Sequence, residues 1–270
     1  MSSGKSSVVL FHGVTMSAAA WEGVVPWLTD HHDVVALTAL GHRGGPVVRE
    51  RPVTVRDIVD AAERMLDDRG IAQAHLAGNS LGGWMAIELA LRGRALSVCA
   101  LSPAGFWDGG GHGQTDAVRK LRRTIALVQL TRRVQPLALR SGVVRRLALR
   151  DIACRADRLT AAQALTAATD LIECAVTDDV LGTEEQIASV PSLPCPITLA
   201  WSEKDAILPP AVNGRIAQER FPQARFEILP GVGHVPMIDD PKLVAATILA
   251  TTGAVPAVTG VPSASPDADG

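Results

Sequence analysis

The sequence predicts an α/β fold, in which a mostly parallel sheet carries helices on both faces and a helical segment is inserted near the middle. Three observations lead to this prediction. Short, wholly apolar runs, typical of strands buried on both faces, recur at both ends of the chain. Helical patterns separate these runs. Between Pro103 and Pro191 the alternation stops, and the sequence becomes helical and charged.

The first part of the chain contains four predicted strands. Thr54 is a good N-cap for one of the helices between them, and Gly70 is a good stop for the same helix. In order, the predicted elements are a strand at Val8–Phe11, a helix at Ser17–Leu28 disturbed by Pro26, a strand at Asp33–Leu40, a helix at Thr54–Arg69, a strand at Ala74–Ala77, a helix at Trp84–Leu91 and a strand at Leu96–Leu101.

The alternation resumes near the end of the chain. Two further strands are predicted at Ile197–Trp201 and Phe226–Leu229, and a last helix at Pro241–Thr252 begins on a proline, which suits a first helical turn. Beyond it the sequence loses all periodicity. The expected division is an α/β core of 1–103 and 191–252, a helical cap of 104–190 and a disordered tail of 253–270.

The composition argues against several classes of protein. The formal net charge is −2, which gives no overall attraction to nucleic acid or to anionic membranes. No run reaches the roughly 20 apolar residues of a spanning helix, and Val8–Phe11 is too short for a signal-peptide core. The four cysteines lack metal-binding spacing. We therefore expect a cytoplasmic protein with no metal, no cofactor, no nucleic-acid partner and no stable membrane insertion.

A pentapeptide after the third predicted strand has the pattern Gly-x-Ser-x-Gly. Ser80 lies at its centre, with an apolar strand before it and an amphipathic helix after it. A serine on such a tight turn needs neighbours without side chains, which Gly78 and Gly82 provide. The helix N-terminus also favours developing negative charge. The pattern predicts Ser80 as a nucleophile, and a plain strand-to-helix turn is the alternative.

A serine nucleophile needs a base, usually a histidine that a carboxylate orients. His234 follows the sixth predicted strand and Asp205 the fifth, at the carboxyl ends where open α/β sheets bind ligands. Glu203, nearer to its strand, and Asp108, after the fourth strand, are rival acids. The remaining histidines are weaker candidates because they lie in connections, in glycine loops or inside a strand: His31, His32, His42, His75 and His112.

The loop after the first strand is the candidate oxyanion site. One donor would be the N–H of Leu81, directly after the predicted nucleophile, and the other the N–H of Val14. Gly13 would let the backbone approach the substrate. Large side chains near these motifs are candidate pocket walls, although each also suits the core: Trp84, Trp107 and Met237.

Together, these motifs resemble the serine-nucleophile branch of the α/β-hydrolase superfamily. The matching blocks cover nearly the whole chain: Val9–Gly13, Gly78–Gly83, Trp201–Asp205 and Gly233–His234. The resemblance implies a hydrolase sheet with the chain order serine, acid, histidine. Small carboxylesterases and the carbon–carbon hydrolases of ring-cleavage products are similar. Haloalkane dehalogenases and epoxide hydrolases share the fold but use an aspartate nucleophile, and the latter also use lid tyrosines. Ser80 and the absence of tyrosine therefore disfavour both of those reactions.

Two features depart from the family pattern. Only seven residues precede Val8, so we expect the usual first two strands to be missing and the sheet to have six strands. A sheet edge exposed in this way needs cover, a partner or charged residues. After the second strand the chain reads Gly41-His42-Arg43, and the aspartate that is common in the preceding residues of this loop is absent.

The charges of the predicted cap are polarised along the sequence. Residues 119–158 contain twelve Lys and Arg and two acids, whereas residues 159–190 contain six acids and no Lys or Arg. One interpretation is a set of amphipathic helices with a basic solvent face, paired in part with the acidic half. The other is attraction of an anionic substrate or an anionic surface.

Three functions fit these observations. The first is hydrolysis of an ester or thioester through an acyl-Ser80 intermediate, with a small acyl compound as substrate. The second is carbon–carbon hydrolysis of a vinylogous diketone. The third is a ligand receptor that keeps the three residues mainly for binding.

Overall fold

The computed structural model of the chain describes residues 4–107 and 112–254. The rival acid Asp108 and most of the expected tail, from residue 255 onward, lie outside the described residues. Gly253 ends the last helix in a left-handed conformation with φ 76°.

Six strands form one sheet in which every neighbouring pair is parallel. The spatial order is β2-β1-β3-β4-β5-β6. This confirms the predicted six-stranded parallel sheet, and the predicted strand positions agree with the structure to within a few residues. The strands are β1 (Ser7–Phe11), β2 (Asp33–Leu37), β3 (Ala74–Asn79), β4 (Ala95–Leu101), β5 (Ile197–Ser202) and β6 (Arg225–Leu229).

Helices cover both faces of the sheet, as predicted. The α-helices are α1 (Val55–Asp67), α2 (Leu81–Leu91), α3 (His112–Thr131), α4 (Gln135–Ala138), α5 (Gly142–Ala148), α6 (Ala161–Glu173), α7 (Thr177–Leu181), α8 (Arg215–Arg220), α9 (Pro236–Asp239) and α10 (Pro241–Thr252). A π-helical turn at Pro210–Gly214 precedes α8, and short 3-10 turns lie at Ala18–Trp21, Val25–Trp27 and Ala156–Arg158.

Two predicted helices differ from the observed ones. The segment Ser17–Leu28 was expected to be one helix but forms two 3-10 turns, because Pro26 has no N–H to donate and interrupts the helical pattern. The helix after the Gly-x-Ser-x-Gly motif begins at Leu81 rather than Trp84, so it starts directly at the turn. The capped helix α1 agrees with its prediction, since Thr54 and Asp57 form a capping box.

Successive residues of β1 alternate between two apolar clusters, one on each face of the sheet. Val9 and Phe11 pack with the buried side chains of α1 and α2, whereas Val8 and Leu10 pack with Trp21 and with α10. This alternation follows from the period of two in a strand, and it explains why the whole run is apolar.

Helices α3 to α7 lie between β4 and β5 in the described part of the chain. On the inner side of this group, Val128 of α3 and Leu139, just after α4, pack against Ala164 and Ala168 of α6. The group also contacts the rest of the chain: the N–H of Ala175 donates to the carbonyl oxygen of Gly41 at 2.8 Å. The division into core and cap stays a prediction.

Candidate active site

Ser80 lies at the turn between β3 and α2, at the carboxyl edge of the sheet. Its φ of 55° is positive, which is uncommon for a residue with a side chain. Among the described residues the other non-glycine positions with positive φ are Thr15, after β1, and Ser102, after β4. Backbone strain is therefore concentrated at the ends of three adjacent strands, around Ser80.

The two glycines of the motif are required by close backbone contacts. A Cβ atom on Gly78 would lie 2.1 Å from the carbonyl oxygen of Gly82, and one on Gly82 would lie 2.1 Å from the carbonyl oxygen of Phe11. Because these neighbours are backbone atoms, they cannot turn aside as a flexible side chain could. The motif thus has a steric cause, and it holds α2 directly against β1 and β3.

Asp205 and His234 form a buried hydrogen-bonded pair. Nδ1 of His234 lies 2.7 Å from Oδ2 of Asp205, and the two side chains are 6% and 0% exposed. Oδ1 of the aspartate accepts from the N–H groups of Ile207 and Leu208 at 2.9 and 2.8 Å. The carboxylate of Asp205 thus accepts from two backbone N–H groups and from Nδ1 of His234. Because Nδ1 donates, it carries the ring proton, and Nε2 is the nitrogen that can accept another proton.

The rival acid Glu203 has a different partner. Its Oε2 accepts from the N–H of Gly231 at 2.7 Å on the protein surface, so it ties down the loop before His234 without contacting the imidazole. Two of the other histidines have partners far from this edge. Nδ1 of His75 lies 2.8 Å from Oγ of Ser97, and Nε2 of His32 lies 2.9 Å from Oγ1 of Thr252.

The Ser80 turn and the His234 loop are joined by one side chain. The amide of Asn79 donates to the carbonyl oxygens of Leu101 and His234 at 3.1 and 2.9 Å. Asn79 is fully buried, and it directly precedes Ser80. The structure therefore brings Ser80, Asp205 and His234 to one place at the carboxyl ends of β3, β5 and β6.

The predicted oxyanion loop lies beside the same turn. A Cβ atom on Gly13 would be 3.4 Å from Cβ of Ser80, so this backbone passes close to the serine. Leu81 is the first residue of α2, where N–H groups have no acceptor within the helix. In the parts of the chain that the structure describes, the N–H of Val14 has no hydrogen-bond acceptor either.

His12 supports this loop as a neutral residue. Its Nε2 accepts from the N–H of Ala39 at 3.0 Å, and its Nδ1 therefore donates to the carbonyl oxygen of Gly13 at 2.8 Å. Complete burial, with a smaller contribution from the neighbouring His42, lowers the pKa of His12 to about 3. The ring stays uncharged at physiological pH and holds the loop between β1 and the chain after β2.

Ser80, Val14 and Leu81 line a small apolar cavity together with two of the predicted wall residues, Trp84 and Trp107. The two indole rings meet edge to face with centroids 5.5 Å apart. The cavity measures about 50 Å³. Its remaining lining comes from loops of the core and from α3 and α7: Ala104, Ala117, Val118, Leu121, Val180, Leu181, Ile207 and Leu208.

Met237 does not line this cavity. It lies instead in the wall of a separate, larger cavity of about 410 Å³ between the 3-10 turn at Ala18–Trp21, helix α6 and the start of α10. Met237 belongs to α9 and is buried in the apolar cluster that includes Val235 and Val244. Of the four residues expected around the substrate, Gly13 passes close to Ser80, Trp84 and Trp107 line the Ser80 cavity, and Met237 lines the larger one.

Sequence reasoning missed Asp239, whose side chain is buried beside the histidine loop. Its Oδ2 accepts from the N–H groups of Gly233 and Cys154 at 2.7 and 3.0 Å, and its Oδ1 from that of Arg155 at 2.6 Å. Asp239 is only 2% exposed. The sequence places Asp239 only a few residues after the predicted base, which is a weak signal of a role near it. The sequence does not show that its carboxylate reaches residues 154 and 155, because those residues are distant in the chain.

The loop that carries His234 also contacts residues 152–154 directly. The N–H of Val235 donates to the carbonyl oxygen of Ile152 at 3.0 Å. A Cβ atom on Gly233 would lie 3.1 Å from that same oxygen and 3.2 Å from Cα of Ala153. Both neighbours of His234 in the chain are therefore held by the segment between α5 and α6.

No metal site is evident in the described ranges, where no three His, Cys, Asp or Glu side chains converge. Within residues 4–107 and 112–254, none of the helices combines the length and the apolar composition of a membrane-spanning segment.

The parallel sheet, the strained serine turn and the buried aspartate–histidine pair define the architecture of an α/β hydrolase. Comparison with known proteins agrees. Residues 8–247 match the model of the alpha/beta hydrolase family, and the chain belongs to that family. A curated relative, the epoxide hydrolase EphH of Mycobacterium tuberculosis, is 30% identical over 195 residues, which cover 71% of this chain and 91% of the relative.

Solved structures show the same fold at lower identity. An esterase from Thermogutta terrifontis aligns with a TM-score of 0.65 and 22% identity over 90% of this chain and 87% of its own. The 2-hydroxy-6-oxo-6-phenylhexa-2,4-dienoate hydrolase BphD from Rhodococcus sp. strain RHA1 also aligns with a TM-score of 0.65, at 16% identity over 91% of this chain and 89% of its own. The protein is thus a hydrolase by family.

Proposed function

We propose that this hydrolase cleaves a carboxylic ester or thioester through an acyl intermediate on Ser80. The observation that carries the proposal is the juxtaposition of a serine at a strained strand-to-helix turn with a buried histidine whose Nδ1 is 2.7 Å from an aspartate. A serine hydroxyl becomes a good nucleophile when such an imidazole accepts its proton.

The reaction would proceed in two halves. Oγ of Ser80 attacks the acyl carbon while its proton passes to Nε2 of His234, and the N–H groups of Val14 and Leu81 stabilise the oxyanion. Collapse of the tetrahedral intermediate breaks the bond to the alcohol or thiol, which leaves with the proton from His234. Water, deprotonated by the same histidine, then attacks the acyl carbon; the bond to Oγ of Ser80 breaks, His234 returns the proton to Oγ, and the acid is released.

The cavity beside Ser80 supports an apolar acyl group. Its walls are aromatic and aliphatic, with Trp84, Trp107 and Leu121 among the lining residues. Its volume of about 50 Å³ is well below the roughly 300–1,000 Å³ of ordinary small-molecule sites. Because α3 and α7 supply part of its lining, we propose that residues 104–190 act as a lid that moves to admit substrate.

The similarity to EphH raises epoxide opening as a second candidate. Chemistry of the nucleophile argues against it in this chain. Attack of a serine on an epoxide would form an ether, which water cannot release as it releases an ester. An aspartate nucleophile avoids this problem, but this chain has Ser80 at the turn. The carbon–carbon hydrolase remains the alternative within serine chemistry, because it needs the same three residues.

One substrate panel tests the proposal and its alternatives. The panel contains chromogenic esters of increasing acyl length, an acyl thioester, a vinylogous diketone and an aryl epoxide, each assayed with the full chain and with Ser80→Ala. We expect turnover of esters or thioesters, loss of that turnover in the variant, and an acyl adduct on the Ser80 peptide by mass spectrometry after rapid quenching.

Three other outcomes would contradict the proposal. Turnover of the diketone alone would favour the carbon–carbon reaction, and turnover of the epoxide alone would contradict serine chemistry. Saturable binding without turnover would favour a receptor.

A further inference from the structure

The outer surface of α3 to α5 has an unusual charge for this protein. The stretch from Ala117 to Arg150 contains ten Lys and Arg and no Asp or Glu, although the whole chain has a formal net charge of −2. Most of these cations are exposed on α3 to α5 and the turns beside them. Besides Arg119 and Arg122, the exposed cations are Arg123, Arg132, Arg133, Arg140, Arg146 and Arg150.

The acidic half of the predicted cap does not neutralise this surface. Asp170 pairs with Arg43, and Asp179 lies 3.2 Å from Arg51, so both carboxylates face arginines outside the cap. Arg122 has a distant contact of 3.7 Å to the exposed Asp178. Apart from Arg119 and Arg122, the exposed arginines of α3 to α5 thus face solvent.

Large aliphatic side chains are exposed on the same surface. Of the thirteen exposed large hydrophobic residues among those that the structure describes, seven lie within residues 127–147. Leu130 is 84% exposed and Leu137 is 73% exposed. The others are Leu127, Val134, Val143, Val144 and Leu147. Exposed apolar groups clustered in this way mark an interaction surface more often than isolated ones do.

Packing of the helices explains how one face collects these groups. Val128 and Leu139 point inward and pack on α6. The helical period then directs Leu127 and Leu130 to the outer side of α3 together with Arg123. In α5 the residues Val143 and Leu147 are four apart and share a face by the same rule. Aliphatic and guanidinium groups are therefore interleaved on the exposed sides of α3 and of α5.

Three kinds of partner could cover such a surface. A second copy of the chain would bring two strongly basic faces together, which like-charge repulsion opposes. A nucleic acid would meet the arginines, but this stretch has no aromatic side chain for base stacking and its leucines would stay in water. An anionic lipid surface satisfies both components, because phosphate groups pair with the arginines while the leucines enter the acyl boundary.

We propose that the surface formed by the exposed Arg and aliphatic residues of α3 to α5 adsorbs the protein peripherally to membranes that contain anionic lipids. Adsorption needs no spanning helix. Helix α3 also supplies Ala117 and Leu121 to the cavity beside Ser80, so the adsorbed face and the site would share one helix. The proposal does not depend on the chemistry of Ser80.

The experiment is co-sedimentation of the full chain with vesicles of phosphatidylcholine alone and of phosphatidylcholine with phosphatidylglycerol as a minor component. We expect binding to the anionic vesicles, weakening with added salt, and the same binding by Ser80→Ala. Replacing Arg132, Arg133, Arg140 and Arg146 by Gln should weaken the partition coefficient on the order of 1,000-fold. Replacing Leu130, Leu137 and Leu147 by Ser should weaken it on the order of 10-fold or more.

A matched pair of double variants controls for surface change in general. Leu130→Ser with Arg133→Gln alters the proposed face, whereas Val47→Ser with Arg49→Gln alters an equally exposed aliphatic residue and an exposed arginine elsewhere; Val47 is 83% exposed. Only the first pair should lose vesicle binding. Unchanged circular dichroism and unchanged hydrolysis of a soluble short ester would show that the fold is intact.

Several results would overturn the proposal. If the leucine variants bound anionic vesicles as well as the wild type does, binding would be electrostatic alone and the leucines would have no part in it. If the protein bound both kinds of vesicle equally, the arginines would have no part in it. A dimer in analytical ultracentrifugation that the leucine changes dissociate would assign the surface to a second copy. Tight binding of duplex DNA that competes with the vesicles would assign it to nucleic acid.

Discussion

The serine and the histidine of the candidate site are held in different ways. Ser80 is positioned by the glycine contacts of its turn and by a 3.0 Å hydrogen bond from its N–H to the carbonyl oxygen of Leu101. Among the described residues, the predicted cap bonds to it only through its first residue, since the N–H of Ala104 donates to the carbonyl oxygen of Ser80 at 3.0 Å. His234 lies in a loop that contacts the predicted cap on both sides. The N–H of Val235 donates to the carbonyl oxygen of Ile152. The N–H of Gly233 donates to Asp239, whose carboxylate also accepts from the N–H groups of residues 154 and 155. Movement of the predicted cap would therefore disturb the proposed base and leave the proposed nucleophile in place.

The largest expected effect is on the serine side. Ser80→Ala should lower turnover on the order of 10⁶-fold, which is the loss that removal of the serine nucleophile causes in subtilisin. The fold should survive, because the substitution removes one oxygen atom at a turn that the glycines define. Steady-state kinetics and labelling by a fluorophosphonate measure the loss. Labelling of the variant at the wild-type rate would place the nucleophile elsewhere.

Asp205→Asn should have the next largest effect, a loss on the order of 10⁴-fold in kcat, because asparagine stabilises the wrong imidazole tautomer, as it does in trypsin. Glu203→Gln is the matched control, because the glutamine can still accept from the N–H of Gly231. Both variants are compared in kcat and in thermal stability. A greater loss in the Glu203 variant would move the acid to that residue.

Asp239→Asn tests the histidine side of the comparison directly. The amide can no longer accept from all three N–H groups, so the loop around His234 should loosen and kcat should fall roughly 10- to 100-fold, with little change in KM. The pH profile of kcat should shift as well, because it reports the environment of His234.

The neighbouring Asp240 provides the control for this change. Its Oδ1 accepts from the N–H of Leu243 at 3.0 Å as the N-cap of α10, and Asn caps a helix about as well as Asp. Asp240→Asn should keep the wild-type kcat and pH profile. If the Asp239 variant lost stability but kept its pH profile, the residue would have a structural role only, and the two sides of the site would not differ as described.

The last expected effect concerns stability rather than turnover, and it lies on the serine side. The pKa of His12 is about 3 in the folded protein because of burial, against about 6.5 in an unfolded chain. At pH values between these two, the unfolded state binds a proton on His12 and the folded state does not. The free energy of unfolding should therefore fall as the pH drops from about 6.5 to about 3, by at most about 1.4 kcal/mol per pH unit. Urea unfolding at several pH values measures the slope.

His12→Gln should flatten that slope, and His31→Gln on the surface should leave it unchanged. An unaltered slope in the His12 variant would assign the acid sensitivity to other buried groups.

Local sequence signals predicted much of this molecule. The strands, the capped helix α1 and the turn at Ser80 follow from patterns within a few residues, and the proposed partners Asp205 and His234 from their positions after strands. Asp239 could not be found in this way, because two of its three bonds reach residues 154 and 155, which are distant in sequence. Met237 suited a pocket wall and the core equally in the sequence, and the structure packs it in the apolar cluster of α10 and at the wall of the larger cavity.

The tryptophan pair in the Ser80 cavity has an optical consequence. The chain has five tryptophans and no tyrosine, so its near-ultraviolet absorption comes almost wholly from indole. Two of these chromophores, Trp84 and Trp107, meet edge to face at 5.5 Å, a distance at which their excited states couple. Circular dichroism in this spectral region would therefore carry a signal from the cavity itself. Entry of an acyl group or displacement of the covering helices could then be followed in unlabelled protein.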